Sequence, residues 1–291
     1  MMLLTLLVGS LLLSAPVSED LPPLDRVSED VHLDFTASAW FPRLIGTYAF
    51  GPDGTDLDVE TDTDLHDSEL SFSGVLDIRF DVWTIRVLGS DFDTSGNGLL
   101  DQSARVSGVQ LPAGSDWSSS YGQWSIATEV DLAIWRPFAD KPFPWSEPGS
   151  NAANRNAEGD YLLDLRLSGT AGIRYTGVSQ SFRSIAGGVD TDVNAGWTAV
   201  MLGFMVEVDV DTRTIIPWLQ RIEIDAGATI SPVIAGGSGS LSGIEANLRA
   251  WITDNTALLF GFKLQGTDAT SGEYERTGSV MGLLGGLSIQ F

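Results

Sequence analysis

The sequence predicts an all-β chain, an antiparallel up-and-down transmembrane barrel of about ten strands preceded by an export signal. Three observations carry that prediction. Apolar and polar residues alternate with period two over segments of ten or more residues, helical periodicity is found nowhere, and no later run reaches the eighteen or more apolar residues of a spanning helix. Any crossing of a membrane must therefore be made by strands, which need about ten residues each on a tilted path. The 291 residues are 43% hydrophobic and 19% charged, a balance that buries a core rather than solvating a disordered acidic chain. The formal net charge is −23, with two histidines, and phosphate binding needs a basic patch, so nucleic acid is excluded as a partner. With no cysteine, disulfides, thiolate metal sites and lipid anchoring through an N-terminal cysteine are excluded together.

Taken in order, residues 1–15 form an uncharged apolar block followed by PVSED, the length and texture of a secretory signal. The expected division is a signal peptide over 1–20, a short tail over 21–30 and a barrel over 31–291. Alternation begins in the stretch from His32 to Phe41 and is strict from Ser68 to Phe80, where Leu70, Phe72, Leu76 and Ile78 oppose Ser71, Ser73, Asp77 and Arg79. A tight turn at Asp81 leads into VWTIRVLGSDF. The pattern returns over 123–135, 163–175, 198–210, 219–230, 241–252, 257–266 and 280–291. Soluble sandwiches have strands nearer five or six residues. Glycine numbers 32, and tryptophans fall near strand ends at Trp40, Trp83, Trp117, Trp197 and Trp218. Periodicity alone leaves open whether the apolar face points inward, as in a soluble periplasmic barrel, or outward into lipid.

The last strand reads GLLGGLSIQF, with Leu287, Ile289 and Phe291 on its apolar face. This ending resembles the terminal assembly signal of bacterial outer-membrane β-barrels, and the stretch TDLDVETDTDLHDSELSFSGVLDIRF followed by VWTIRVLGSDF is similar to the opening hairpin of small porin-like barrels of the OmpA and OmpW type. The resemblance implies placement in the outer membrane of a diderm bacterium, contact with its lipid, insertion by the barrel assembly machinery, and Phe291 at the periplasmic face. Counting back from there puts the Asp254–Asn255 turn, 211–217, 137–159 and Asp81 in the periplasm. The connections 269–277, 231–240, 177–195 and 93–121 fall outside. The count is ten strands, or twelve if Arg105 to Leu111 belongs to a further spanning pair.

The polar faces of these strands carry nine acids, Asp77, Glu129, Asp131, Asp164, Glu207, Asp209, Glu223, Asp225 and Glu245. They also carry seven bases, Arg79, Arg86, Arg166, Arg174, Arg221, Arg249 and Lys263. Nine against seven leaves about −2 in the interior of a lipid-facing barrel, so nearly all of the −23 belongs to loops and turns. Unpaired buried ions are costly; near balance predicts ion pairs that fill a narrow lumen, as opposed to the hydrated channel of a wider porin.

Two acidic stretches are candidates for Ca²⁺ or Mg²⁺. One runs from Asp53 to Glu69, with eight acids and no base. The other, Asp93, Ser95, Asn97 and Asp101, has the oxygen spacing of an EF-type loop with Gly98 at its turn, but Ala104 stands where the bidentate Glu belongs. No other cofactor is expected. His66 between Asp64 and Asp67 is a faint copy of a barrel protease site, and no enzyme activity is expected. The expected role is a structural or surface-interaction barrel with a charge-filled lumen; the alternatives are a small porin and a soluble periplasmic binding barrel.

Overall fold

In the computed structural model, residues 31–156 and 159–291 are described; the expected signal peptide and tail lie outside them. The wall is built from β1 (His32–Phe50), β3 (Ser71–Phe80), β4 (Trp83–Leu99), β7 (Asp116–Trp135), β8 (Leu163–Ser184), β9 (Val189–Asp211), β10 (Arg221–Ala235), β11 (Ser238–Trp251), β12 (Thr256–Ser271) and β13 (Tyr274–Gln290). Each pairs antiparallel with the next, and β13 pairs with β1 to close a ten-stranded barrel. Three short strands are accessory. β2 (Leu57–Asp58) adds to the top of β1, while β5 (Ala104–Val106) and β6 (Val109–Leu111) form a separate hairpin between β4 and β7. The Arg105 to Leu111 segment is thus an outlying hairpin, and the count is ten rather than twelve.

Following paired residues around the wall from Leu33 through Ile85, Val130, Leu202, Ile230 and Gly266 returns to β1 at Ile45, twelve positions from its start. That stagger tilts the strands by roughly 35–45° and sets a lumen that side chains can fill.

The direction of the faces, open in the sequence, is settled by exposure. Leu33, Phe35, Phe72, Trp124, Ile126, Leu202, Phe204, Ile230, Ile244, Phe260, Leu283 and Leu287 all project outward and are exposed, while Asp77, Arg86, Glu129, Asp164, Arg166, Glu223 and Arg249 are buried. The result is an apolar band around the barrel. A soluble monomer rarely exposes a contiguous apolar patch above a few hundred Å², and this band encircles the molecule; a bilayer is the solvent that fits it.

One end carries the turn at Asp81 and the connections 136–162, 212–220 and 252–255. The opposite end carries 51–70, 100–115, 185–188, 236–237 and 272–273. Grouping by end follows the sequence count, but the sizes differ. The expected loops 177–195, 231–240 and 269–277 are mostly strand, so that β8 and β9 reach 22 and 23 residues. Above the band the outward positions become Ser, Asp, Asn and Thr, so the outer face is no longer apolar while backbone pairing continues. The turn at Gly236 and Gly237 needs glycine at both positions, with φ of +88° and +152°; a Cβ on Gly236 would collide with the Gly196 carbonyl.

A filled lumen as the candidate functional site

The interior is layered. In the lower half, at the end that holds the Asp81 turn, Arg79 of β3 lies 3.0 Å from Asp34 of β1 and reaches across the lumen to Glu207 of β9 at 3.3 Å and Glu223 of β10 at 3.4 Å. Arg86 donates to Asp77 at 2.9 Å and faces Glu129 at 3.5 Å. Arg249 joins Glu223 and Asp225, each at 2.7 Å. Arg221 lies 3.8 Å from Glu223 and stacks over Trp251, whose indole N–H also donates to Glu223. Asp164 takes Arg136 at 2.6 Å, Thr170 donates to Asp131, and Arg166 and Asp209 are buried among these groups.

All sixteen charged residues assigned inward by alternation face the interior. Arg174, Glu245 and Lys263 are held differently from the ion pairs below them. Arg174 donates to the Ser242 carbonyl at 3.2 Å, Glu245 accepts from Asn247 at 2.7 Å, and Lys263 donates to Ser73 Oγ at 3.0 Å beneath the Trp40 ring. Sequence reasoning missed Asp34, Arg136 and Arg276. Asp34 obeys the alternation of β1, with Thr36 and Ser38 beside it, and was legible. Arg136 follows the last apolar position of its strand, and Arg276 fell in an expected loop; it is fully buried, donating to the carbonyls of Thr47 and Ile45. With these three, nine acids and seven bases become ten and nine.

Above the ions lies an amide layer, in which Gln123 donates to Gln265 at 3.1 Å and accepts from Tyr121 at 2.6 Å. Above that lies an apolar plug that sequence reasoning did not foresee. Tyr48, Phe50, Phe182, Trp197 and Tyr274 pack with centroid separations of 5.5–6.5 Å, and Leu44, Phe92, Trp117, Val178 and Leu241 join the same cluster. The segment 51–70 completes it. Strand β3 stops at Ser71, opposite Trp40, and the chain before it runs beside the upper part of β1, against Gly96 of β4. Leu57, Val59 and Leu65 point from this segment into the plug and are buried.

In this arrangement several carboxylates of the first acidic stretch have local partners. Asp58 Oδ1 accepts the N–H groups of Glu60 and Thr61 at 2.9 Å each, and Asp62 Oδ2 accepts that of Asp58 at 2.9 Å. Glu60 pairs with Arg43 at 3.2 Å, and His66 Nδ1 lies 3.2 Å from Asp64. The second stretch is corrected outright: Asp93, Ser95 and Asn97 lie in the regular strand β4, on its outer face, with Asp101 beyond its end. Alternate positions of a strand run in a line about 6.6 Å apart, so these oxygens do not converge as an EF-type loop requires. Among the described residues no group of three or more acidic or histidine side chains is arranged to hold a metal ion. His32 pairs in register with Arg79 at the lower rim, far along the wall from His66.

Between the ion and amide layers is a cavity of about 50 Å³ edged by Arg86, Glu129, Arg174, Glu245 and Lys263; a second, of about 20 Å³, lies lower among Asp77, Arg79 and Asp131. Spaces of this size hold a water or two.

A closed ten-stranded antiparallel barrel with an apolar exterior and a charged, filled interior defines a membrane β-barrel of the outer-membrane type. No protein-family model matches the chain, and a search of curated proteins finds no relative. Among solved structures the chain is similar to the translocator domain of the autotransporter NalP from Neisseria meningitidis, at 10% identity and a TM-score of 0.43, over 91% of this chain and 90% of that one. It is also similar to Ail, the attachment invasion locus protein of Yersinia pestis, at 11% identity and a TM-score of 0.31, over 90% and 97% of the two chains. The outer membrane protease OmpT from Escherichia coli matches at 10% identity and a TM-score of 0.31, over 91% and 98%. Likenesses at this identity concern the fold.

Proposed function

We propose that the protein is a non-conducting outer-membrane barrel with a structural or surface-interaction role, its apolar band in lipid and the long upper ends of its strands projecting to the cell exterior. The observation that carries this reading is the double seal: ion pairs fill the lower lumen and an apolar plug the upper. The plug contributes what the charges cannot, because a layer of ion pairs can hydrate and part, whereas Trp197, Tyr274 and Phe50 would have to be exposed to water. The exterior band argues against a soluble binding barrel, and the ion pairs and aromatic plug that occupy the lumen argue against a porin.

Purified protein reconstituted in planar bilayers is expected to show no steady conductance, with insertion checked separately by heat-modifiable gel migration. A large, stable conductance from the unmodified protein would overturn the closed reading in favour of a channel. A soluble protein with heat-insensitive migration would overturn the membrane reading itself.

A further inference from the structure

The outer wall at the upper edge of the apolar band has a feature that lumen sealing does not explain. Trp124 of β7 is 51% exposed and pairs in register with Asp91 on one side and Gly177 on the other. It lies flat on Gly177, where an added Cβ would sit 2.5 Å from its indole nitrogen. Tyr175 brings its hydroxyl end over Gly196, its ring 4.9 Å from that of Trp124 and tilted by 35°. One row higher, a Cβ on Gly122 would meet Asp93 Oδ1 at 2.5 Å and Ser179 Oγ at 2.7 Å, so both side chains lean over that glycine. Three outward glycines on neighbouring strands therefore make room for the Trp124 ring, the Tyr175 phenol end and, one row above them, a carboxylate and a hydroxyl.

We propose that this shelf binds a sugar ring of a glycolipid head group in the outer leaflet. A pyranose presents C–H groups with partial positive charge, which stack on the negative face of an aromatic ring, and its hydroxyls donate to carboxylate and hydroxyl oxygens such as those of Asp93, Asp91 and Ser179. The exposed carboxylates accept from hydroxyl donors and repel phosphate, which makes the sugar portion of a glycolipid, through its hydroxyls, the group that sits on the shelf. Position selects the membrane source: the shelf is continuous with the lipid-facing band on the same strands, so a saccharide there is still attached to acyl chains lying along Ile126 and Ile173. The inference rests on the outer-membrane reading above.

The test uses full-length protein in nanodiscs of phosphatidylglycerol with or without lipopolysaccharide, and measures the lipopolysaccharide retained per barrel after transfer to detergent. Wild type and Trp124→Phe should retain it, while Trp124→Ala and Asp93→Ala lose about tenfold in apparent affinity, equivalent to about 1.4 kcal/mol. Trp83→Ala, on the opposite rim, should match wild type. Should Trp124→Ala fail to fold by heat-modifiable migration, Asp93→Ala carries the test, because its side chain lies outside the band. Equal retention by wild type and Asp93→Ala would overturn the proposal, as would delipidated core oligosaccharide binding as tightly as the intact glycolipid. A barrel that conducts yet retains lipopolysaccharide through Trp124 and Asp93 would support this site while removing the closed-lumen reading; a sealed barrel that retains none would remove this site alone.

Discussion

Arg79 and Glu207 meet at 3.3 Å although β3 and β9 lie on nearly opposite sides of the barrel. The contact spans the lumen, so the guanidinium works as a cross-brace between walls that share no backbone hydrogen bond. Glu223 and Asp34, on two further strands, share the same guanidinium. The lower interior is therefore tied across as well as around.

Replacing one member of this lattice should cost more than it would on a surface. In Arg249→Leu, Asp225 loses its arginine and Glu223, with no side-chain exposure, loses its closest base. Breaking a buried pair from one side costs about 3–5 kcal/mol. We expect the urea midpoint for unfolding in detergent micelles to fall accordingly, with little dependence on salt because the site is screened from solvent ions. A midpoint unchanged within error would mean that the lower lumen is hydrated enough to tolerate a free carboxylate.

The band itself can be mapped by charge insertion. Phe204→Arg places a cation at an outward position, 54% exposed, near the middle of the apolar run on β9. It should destabilise folding into lipid vesicles by about 2–4 kcal/mol, whereas Ser95→Arg above the band should cost about 0–1 kcal/mol. Equal costs at the two positions would refute the placement of the band.

The turn at 185–188 is held by a carboxylate that titrates outside the membrane. Asp116 accepts N–H groups from Ala186 at 2.9 Å and Ile185 at 3.0 Å, and these bonds hold its pKa below the ordinary 3.8. A depressed carboxylate contributes its stabilisation above the unfolded value and loses it as pH falls through the lower folded value. Amide exchange at Ile185 and Ala186 should therefore be protected near neutral pH and accelerate only below about pH 4. Asp116→Asn should remove part of that protection at every pH. Protection that persists unchanged in Asp116→Ala would show that the turn does not depend on this carboxylate.

Topology has a direct readout. Epitope tags at Gly108, the tip of the β5–β6 hairpin, or at Gly187 should be labelled on intact cells. A tag at Glu147, in the connection between β7 and β8, should be labelled only after the outer membrane is opened. Labelling at Glu147 on intact cells would invert the barrel.

How much of this was legible depended on whether a physical signal repeats in sequence. Ile126, Val130 and Ile134 mark their strand because each second residue meets lipid, and Glu129 and Asp131 mark the lumen because the residues between do not. The upper halves of the strands were invisible to this reading: at Ser95, Ser120 and Ser181 water replaces lipid outside while Phe92, Tyr121 and Phe182 turn inward, so the polarity of the two faces reverses part-way along each strand. The plug was hidden differently. Leu57, Val59 and Leu65 are apolar residues in a stretch dominated by aspartate, and the carboxylates of Asp58 and Asp62 prove to be turn acceptors rather than a solvated cloud. Arg276 carried no signal at all, since its partners include backbone carbonyls of a strand more than 200 residues away.

The stopping of β3 at Ser71 also decides where the wall is mechanically weakest. The seam between the first and last strands is closed by seventeen register pairs, from Asp34 opposite Gln290 to Phe50 opposite Tyr274. By contrast β3 is joined to β1 by nine pairs and to β4 by eight. If the cylinder were pulled open sideways, it would part beside this short stave and not where the chain's two ends meet. The segment 51–70 lies over that gap as a latch, held from inside by Leu57, Val59 and Leu65, so the same leucines and valine that stop the bore also keep the side wall shut.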